Sequence, residues 1–326
     1  MDPIRTEGDI DQTFRQARRA AVINAWASLG LFDELVDGGP CRLEDLSGNP
    51  RSLRVTARIL GHAGLLVRHG ERWALSTRAE ELHEDGVLGT GRSMQIFEDL
   101  AQLDEIVESG GPVPDDEGQK EGSKIGVHPE DPEATRNFLR MLYRRSAEKA
   151  REMARWVDEL LDDEAHILDV GGGHGRYARE IARRGHRATL FDLPAAVDVA
   201  RELHGDQLAY VEGDFFADDL GGPYDAAIAS NIIHGLGPDQ IAVLFGRVAD
   251  ALAPGGLFII KDMVLDDLGM WPPSATYFAL TMLMYTDRGD SYSMQQVHGW
   301  LAEAGLTPRE PVVLEGHTLI VSAKNN

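Results

Sequence analysis

Between His166 and Gly175 the chain reads His-Ile-Leu-Asp-Val-Gly-Gly-Gly-His-Gly, an apolar run closed by Asp169 and followed by Gly171, Gly173 and Gly175. Together with the helix-forming stretch Arg176–Arg184, this pattern predicts a buried strand, a tight turn and a helix start. Glycines in such a turn tolerate positive φ and let the backbone approach a ligand. The helix start offers unpaired N–H groups to a polar or anionic group. A second apolar run, Ala188–Phe191, ends in Asp192, a carboxylate suited to gripping the hydroxyls of a ribose. The chemistry indicated is the binding of a nucleoside cofactor. Spacing argues against a dinucleotide: G-x-G-x-x-G requires a glycine at 176, where Arg176 stands, and glycine falls at Gly175 instead. Further along, Ala229-Ser230-Asn231-Ile232-Ile233-His234 closes another apolar run with an imidazole, the side chain most often used to move a proton near neutral pH.

The pattern D-x-G-x-G-x-G from Asp169 to Gly175 resembles the first motif of the S-adenosylmethionine-dependent methyltransferases. From Asp11 to Lys324 the chain resembles their small-molecule O-methyltransferases, the plant caffeate and flavonoid and bacterial natural-product type, which carry an N-terminal winged-helix dimerisation domain. That resemblance implies S-adenosylmethionine as cofactor. Asp169, Gly171, Gly173 and Gly175 would hold its methionine part, and Asp192 with Leu193 its ribose. Asp214 would meet the adenine amine and Phe215 the ring, and Ser230 and Asn231 would also bind the cofactor. His234 would be the general base for the acceptor hydroxyl, oriented by Asp262. The chain also departs from the pattern: Gly235-Leu236 follow the histidine where many relatives have Asp-Trp. Two glutamates orient the base in the plant enzymes; Asp262 stands for the first, and the second falls at Ser291, beside Asp290. Tyr285 replaces a histidine found in some relatives, so no metal is expected. The resemblance also places Phe138 and Leu142 in a helix walling the substrate pocket. Leu268–Tyr292 is dense in methionine and aromatic residues, among them Met270, Trp271, Tyr277, Phe278 and Met282, a composition suited to a flat apolar acceptor.

The elements needed to position these residues follow from periodicity. Strands are expected at Ile167–Val170, Ala188–Phe191, Leu208–Val211, Ala226–Ile233 and Leu257–Val264, alternating with helices at Arg176–Arg184, Ala195–Leu203 and Asp239–Leu252. A last helix, Ser293–Ala304, precedes Pro308–Leu314 and His317–Ala323, whose two-residue link Glu315-Gly316 requires antiparallel pairing. The expected catalytic domain, residues 162–326, is thus an α/β doubly wound, seven-stranded, mostly parallel sheet. Residues 110–161 are expected to form a mobile glycine-rich loop, Gly110–Pro132, and one long helix from Glu133 to Leu161. Residues 1–109 predict a helix over Asp11–Val36, a turn at Leu43–Leu46, a helix over Ser52–Leu66 and a hairpin over Val67–Leu75, the order of a winged helix. Asp11–Val36 carries more apolar surface than a solvated helix needs, which predicts a homodimer.

Composition bounds the remaining possibilities. The 326 residues carry 43% hydrophobic side chains and a net charge of −22, enough apolar content for real cores and too much negative charge to favour nucleic acid or anionic membrane as a partner. Arg51, Arg54 and Arg58 lie at helical spacing but near Glu44, Asp45, Glu80 and Glu81. Cys41 is the one cysteine, so no internal disulfide is possible, and no stretch of ~18 apolar residues suggests a membrane span. A cytoplasmic enzyme is the expectation. The alternatives on the same motifs are transfer to carbon or nitrogen, a relative that binds S-adenosylmethionine without methylating, and a winged-helix regulator that senses it.

Overall fold

The computed structural model describes residues 4–84, 88, 97, 99–112, 126–127, 131–314 and 317–325. They form two compact units, 1–107 and 108–326. Most of the expected loop Gly110–Pro132 and the link Glu315-Gly316 lie outside the described residues.

The first unit opens with α1 (Glu7–Ser28), begun by a capping box in which Thr6 and Asp9 satisfy each other's backbone N–H groups. The single helix expected over Asp11–Val36 is two. Gly30 adopts φ +69° and caps the second, α2 (Leu31–Gly38), because the left-handed conformation ends one helix and redirects the chain. After a 3₁₀ turn at Leu43–Asp45 comes α3 (Pro50–His62), capped by Asn49, which accepts from the N–H groups of Arg51 and Ser52 at 3.0 and 3.3 Å. β1 (Leu66–His69) and β2 (Arg72–Leu75) pair antiparallel, and α4 (Thr77–Glu84) follows. Trp26, Phe32, Leu35, Leu53 and Leu60 form this unit's core. Ile10 and Phe14, four residues apart on α1, are exposed, Phe14 by 59%.

The chain passes from the first unit to the second within α5 (Leu103–Ser109), and the second unit continues with α6 (Pro132–Arg145) and α7 (Ala147–Leu160). The long helix expected from Glu133 is therefore broken. Ser146 ends one helix and begins the next, with its hydroxyl donating back to the Tyr143 carbonyl at 3.1 Å, a local bond that competes with helix continuation. The sheet that follows contains β3 (His166–Val170), β4 (Arg187–Asp192), β5 (Ala209–Glu212), β6 (Tyr224–Ser230) and β7 (Leu252–Asp262), all parallel, in the order β5-β4-β3-β6-β7. β10 (His317–Lys324) continues it antiparallel to β7. The strand expected at Pro308–Leu314 is two short ones, β8 (Leu306–Pro308) and β9 (Val312–Leu314), both antiparallel to β10.

Helical stripes cover both faces of the sheet. Ala150, Met153, Ala154 and Val157 of α7 recur at i, i+3, i+4 and i+7 and meet Ile167, Ile228 and Ile259, together with Ile181 of α8 (Arg176–Ala182). On the other face Ile241, Leu244, Phe245 and Val248 of α10 (Pro238–Ala251) repeat that spacing against Leu168, Ala227, Phe258 and Ile260. Each of the larger side chains here, from valine to phenylalanine, contributes about 1.5–3 kcal/mol on burial. Helices α9 (Pro194–His204), α11 (Pro273–Tyr285) and α12 (Met294–Glu303) complete the unit. Among the described residues no helix is long and apolar enough to cross a membrane.

Candidate active site

The carboxyl ends of β3, β4, β6 and β7 bring the sequence-predicted residues to one edge of the sheet. After β3 the chain turns through Gly171, Gly173 and Gly175, at φ +64°, +53° and +68°. At Gly171 a Cβ would stand 2.6 Å from Ile232 Cδ1, so the position requires glycine for space as well as for conformation. The Asp192 carboxylate, at the end of β4, ties this turn down by accepting from the N–H groups of Gly173 and Leu193, both at 2.7 Å. Burial pushes the Asp192 carboxyl up to about 6 in spite of these two donors. Burial pushes Asp169 further, to about 8. Its Oδ2 accepts from Ala178 N–H at 3.3 Å, while its buried Oδ1 has no hydrogen-bond partner. An orphaned carboxylate oxygen behind a glycine cradle fits the amino-acid end of a nucleoside cofactor, whose ammonium would satisfy it. Phe215 lies beside Gly171, and Asp214 is exposed at the rim, its carboxylate accepting from Phe216 N–H at 2.8 Å.

β6 stops at Ser230, earlier than the expected Ile233. Asn231 takes φ +59°, and Ile233–Gly235 form a 3₁₀ turn, so His234 sits on a turn beyond the strand. Its Nδ1 lies 2.7 Å from Oδ1 of the buried Asp262, which closes β7. The same carboxylate accepts from the N–H groups of Met263 at 2.8 Å, Ile233 at 3.1 Å and His234 at 3.4 Å. Burial pushes the Asp262 carboxyl up, but the His234 imidazole, the Met263 N–H and the charge of nearby Lys261 outweigh it, leaving the group below its ordinary value. A carboxylate can only accept, so the network assigns the imidazole proton to Nδ1 and leaves Nε2 as an acceptor. The Phe278 ring meets the imidazole edge-on at 4.8 Å.

The sequence profile of the O-methyltransferase domain family matches residues 117–307, more than half of the chain. The chain belongs to this family. It is 29% identical to the tetracenomycin polyketide synthesis 8-O-methyl transferase TcmO of Streptomyces glaucescens, over 98% of each chain. It is 26% identical to the N,N-dimethyltransferase OxyT of Streptomyces rimosus, over 99% of this chain and 98% of that one. Human N-acetylserotonin methyltransferase, solved in complex with SAM, shares the fold with a TM-score of 0.73 at 21% identity, covering 100% of both chains. The protein is a methyltransferase whose cofactor is S-adenosylmethionine.

The pocket residues expected of this methyltransferase divide. Met282 is buried one turn of α11 from Phe278, on the same face. Tyr277 is 57% exposed, because neighbouring positions on a helix cannot share a face. Met270 and Trp271 are likewise exposed. Phe138 packs with Leu139, Ala196 and Val199 between α6 and α9. Leu142 is half-buried on α6. Ser291, at the place of the second orienting glutamate, is buried, with its hydroxyl lacking a partner among the described residues. Sequence reasoning missed Lys261 and Tyr177. The signal for the first was a lysine ending the apolar run Leu257–Ile260, in a chain poor in lysine.

Proposed function

We propose that this methyltransferase methylates a hydroxyl of a small aromatic metabolite, with His234 as the general base. The observation that carries the reading is the buried Asp262 carboxylate 2.7 Å from His234 Nδ1, which leaves Nε2 to accept a proton. When bound, the cofactor supplies an electrophilic methyl on a sulfonium, so a good leaving group is already present. Asp169 and the turn through Gly171, Gly173 and Gly175 hold its amino-acid end; Asp192 and Leu193 the ribose; Asp214 and Phe215 the adenine; Ser230 and Asn231 line the same edge. His234 takes the acceptor proton at Nε2, and Asp262 keeps the ring in the tautomer that can do so. Phe278 and Met282 present apolar surface to the acceptor. Similarity to TcmO over the full chain supports a polyketide-like aromatic acceptor. Similarity to OxyT supports a second reading, transfer to nitrogen. Incubation with carbon-13 methyl-labelled cofactor and a panel of polycyclic phenols and amines tests the two. An O-methyl carbon signal in the product is expected, and labelling of amines with phenols untouched would overturn the hydroxyl reading.

The first unit serves, in this proposal, as a winged-helix homodimerisation module. Exposed Ile10 and Phe14 on one face of α1 support it, as does the 66% exposure of Leu29 at its end. Charged residues there would be buried without partners in a dimer. Ile10→Glu with Phe14→Glu is expected to weaken self-association by at least about 100-fold while the helical signal in circular dichroism persists. Light scattering giving one mass for parent and variant would refute this interface.

A further inference from the structure

Lys261 is the residue before Asp262, and strand alternation turns the two side chains to opposite faces of the sheet. Asp262 shares its face with Phe258 and Ile260 and reaches His234; Lys261 shares its face with Leu257 and Ile259, under α7 and α8. It is only 2% exposed. Its Nζ donates to Asn231 Oδ1 at 2.9 Å and lies 5.3 Å from the centre of the Tyr177 ring. The Tyr177 hydroxyl in turn hydrogen-bonds to the Asn231 side chain. Lys261 also accepts the Asn231 N–H at its own carbonyl, 2.8 Å away, so Asn231 is fixed in its left-handed conformation from two sides. Among the described residues no carboxylate forms an ion pair with this amine. Burial brings its pKa down to about 8, Asp262 pulling up through the sheet and Lys149 pushing down.

A buried ammonium can donate three hydrogen bonds and is costly when uncompensated. Asp169 presents the opposite need on the same face: β3 pairs it with Ile228, two residues before Ser230, which pairs with Lys261. Its Oδ1 is buried and orphaned. A buried acid with one orphaned oxygen and a buried amine with no carboxylate partner among the described residues, with β6 between them, complement a zwitterion. We propose that Lys261 binds the carboxylate of the cofactor's amino-acid end, opposite Asp169 at its ammonium. This rests on S-adenosylmethionine being the cofactor.

Calorimetry with two ligands tests it: S-adenosylhomocysteine, which carries the amino-acid end, and 5′-methylthioadenosine, which lacks it. Lys261→Met is expected to weaken S-adenosylhomocysteine by roughly 10- to 100-fold and leave 5′-methylthioadenosine within about twofold. Lys261→Gln, which keeps a donor for Asn231 and removes the charge, should reproduce the pattern if the methionine variant does not fold. Equal losses for both ligands would make Lys261 a mere support for Asn231, and unchanged affinity for both would exclude any contact; either overturns the proposal. A parent protein that binds neither ligand would instead overturn the cofactor reading.

Discussion

His234→Ala is expected to lower kcat by about 10²- to 10⁴-fold, or roughly 3–5 kcal/mol of barrier, while S-adenosylhomocysteine still binds within about twofold of the parent. The separation follows from geometry. The glycine turn, Asp169 and Asp192 are held by bonds of their own, none of which passes through the imidazole. The cofactor already carries a good leaving group, so most of the remaining barrier lies in a neutral hydroxyl whose proton must leave as it attacks. An acceptor that arrives already ionised would need no base. Stopped assays with a phenol and with its more acidic halogenated analogue therefore add a second check. The variant should recover part of its lost rate on the acidic phenol. A variant within about threefold of the parent on both would remove His234 from the mechanism and leave positioning as the main catalytic device.

Some of this site was legible in the chain because it is written in local patterns. The acid that ends a strand, the glycines that must follow it and the second acid at Asp192 each satisfy a short-range requirement. His234 and Asp262 were reached by resemblance, and the structure adds the reason they meet: β6 and β7 are neighbours, with Ser230 paired to Lys261. The long helices misled for an equally physical reason. Apolar periodicity ran through Gly30 and Ser146, whereas a left-handed glycine in one place and a hydroxyl bonded to its own backbone in the other broke the helix. Pocket residues were the least legible. Methionine and aromatic density at Leu268–Tyr292 says that apolar surface exists but not which way it turns, and α11 is apolar on nearly every side, so no stripe distinguishes Phe278 and Met282 from the exposed Tyr277. Lys261 had no place in either reading, because its meaning depends on Asn231, Tyr177 and Asp169, which come together only across three strands and a helix.

Asp262→Asn is expected to cost a comparable factor in kcat, about 10²- to 10⁴-fold, by a different route. The carboxylate receives four N–H groups: the His234 ring and Met263 at Oδ1, Ile233 and the His234 backbone at Oδ2. An amide of the same shape replaces one acceptor with a donor, so whichever way it turns, two of the four face an NH₂. Facing the ring, the amide favours the tautomer with its proton on Nε2, which cannot accept one from the acceptor. Facing the backbone, it leaves two buried N–H groups unpaired at about 1–3 kcal/mol each, and the melting temperature should fall. That stability loss has a definite pH dependence. The Asp262 carboxyl lies below its ordinary value of 3.8 in the folded protein, so its stabilisation is fully present above that pH and is lost as the pH falls through the folded value. The gap in melting temperature between parent and Asp262→Asn should accordingly be full near neutrality and narrow in acid. Because Asp262 is argued to act through His234, the two substitutions should not add: in a His234→Ala background, Asp262→Asn should change kcat by less than about threefold. Additive losses in the double variant would assign Asp262 a role independent of the imidazole, that of a structural anchor for the turn after β6.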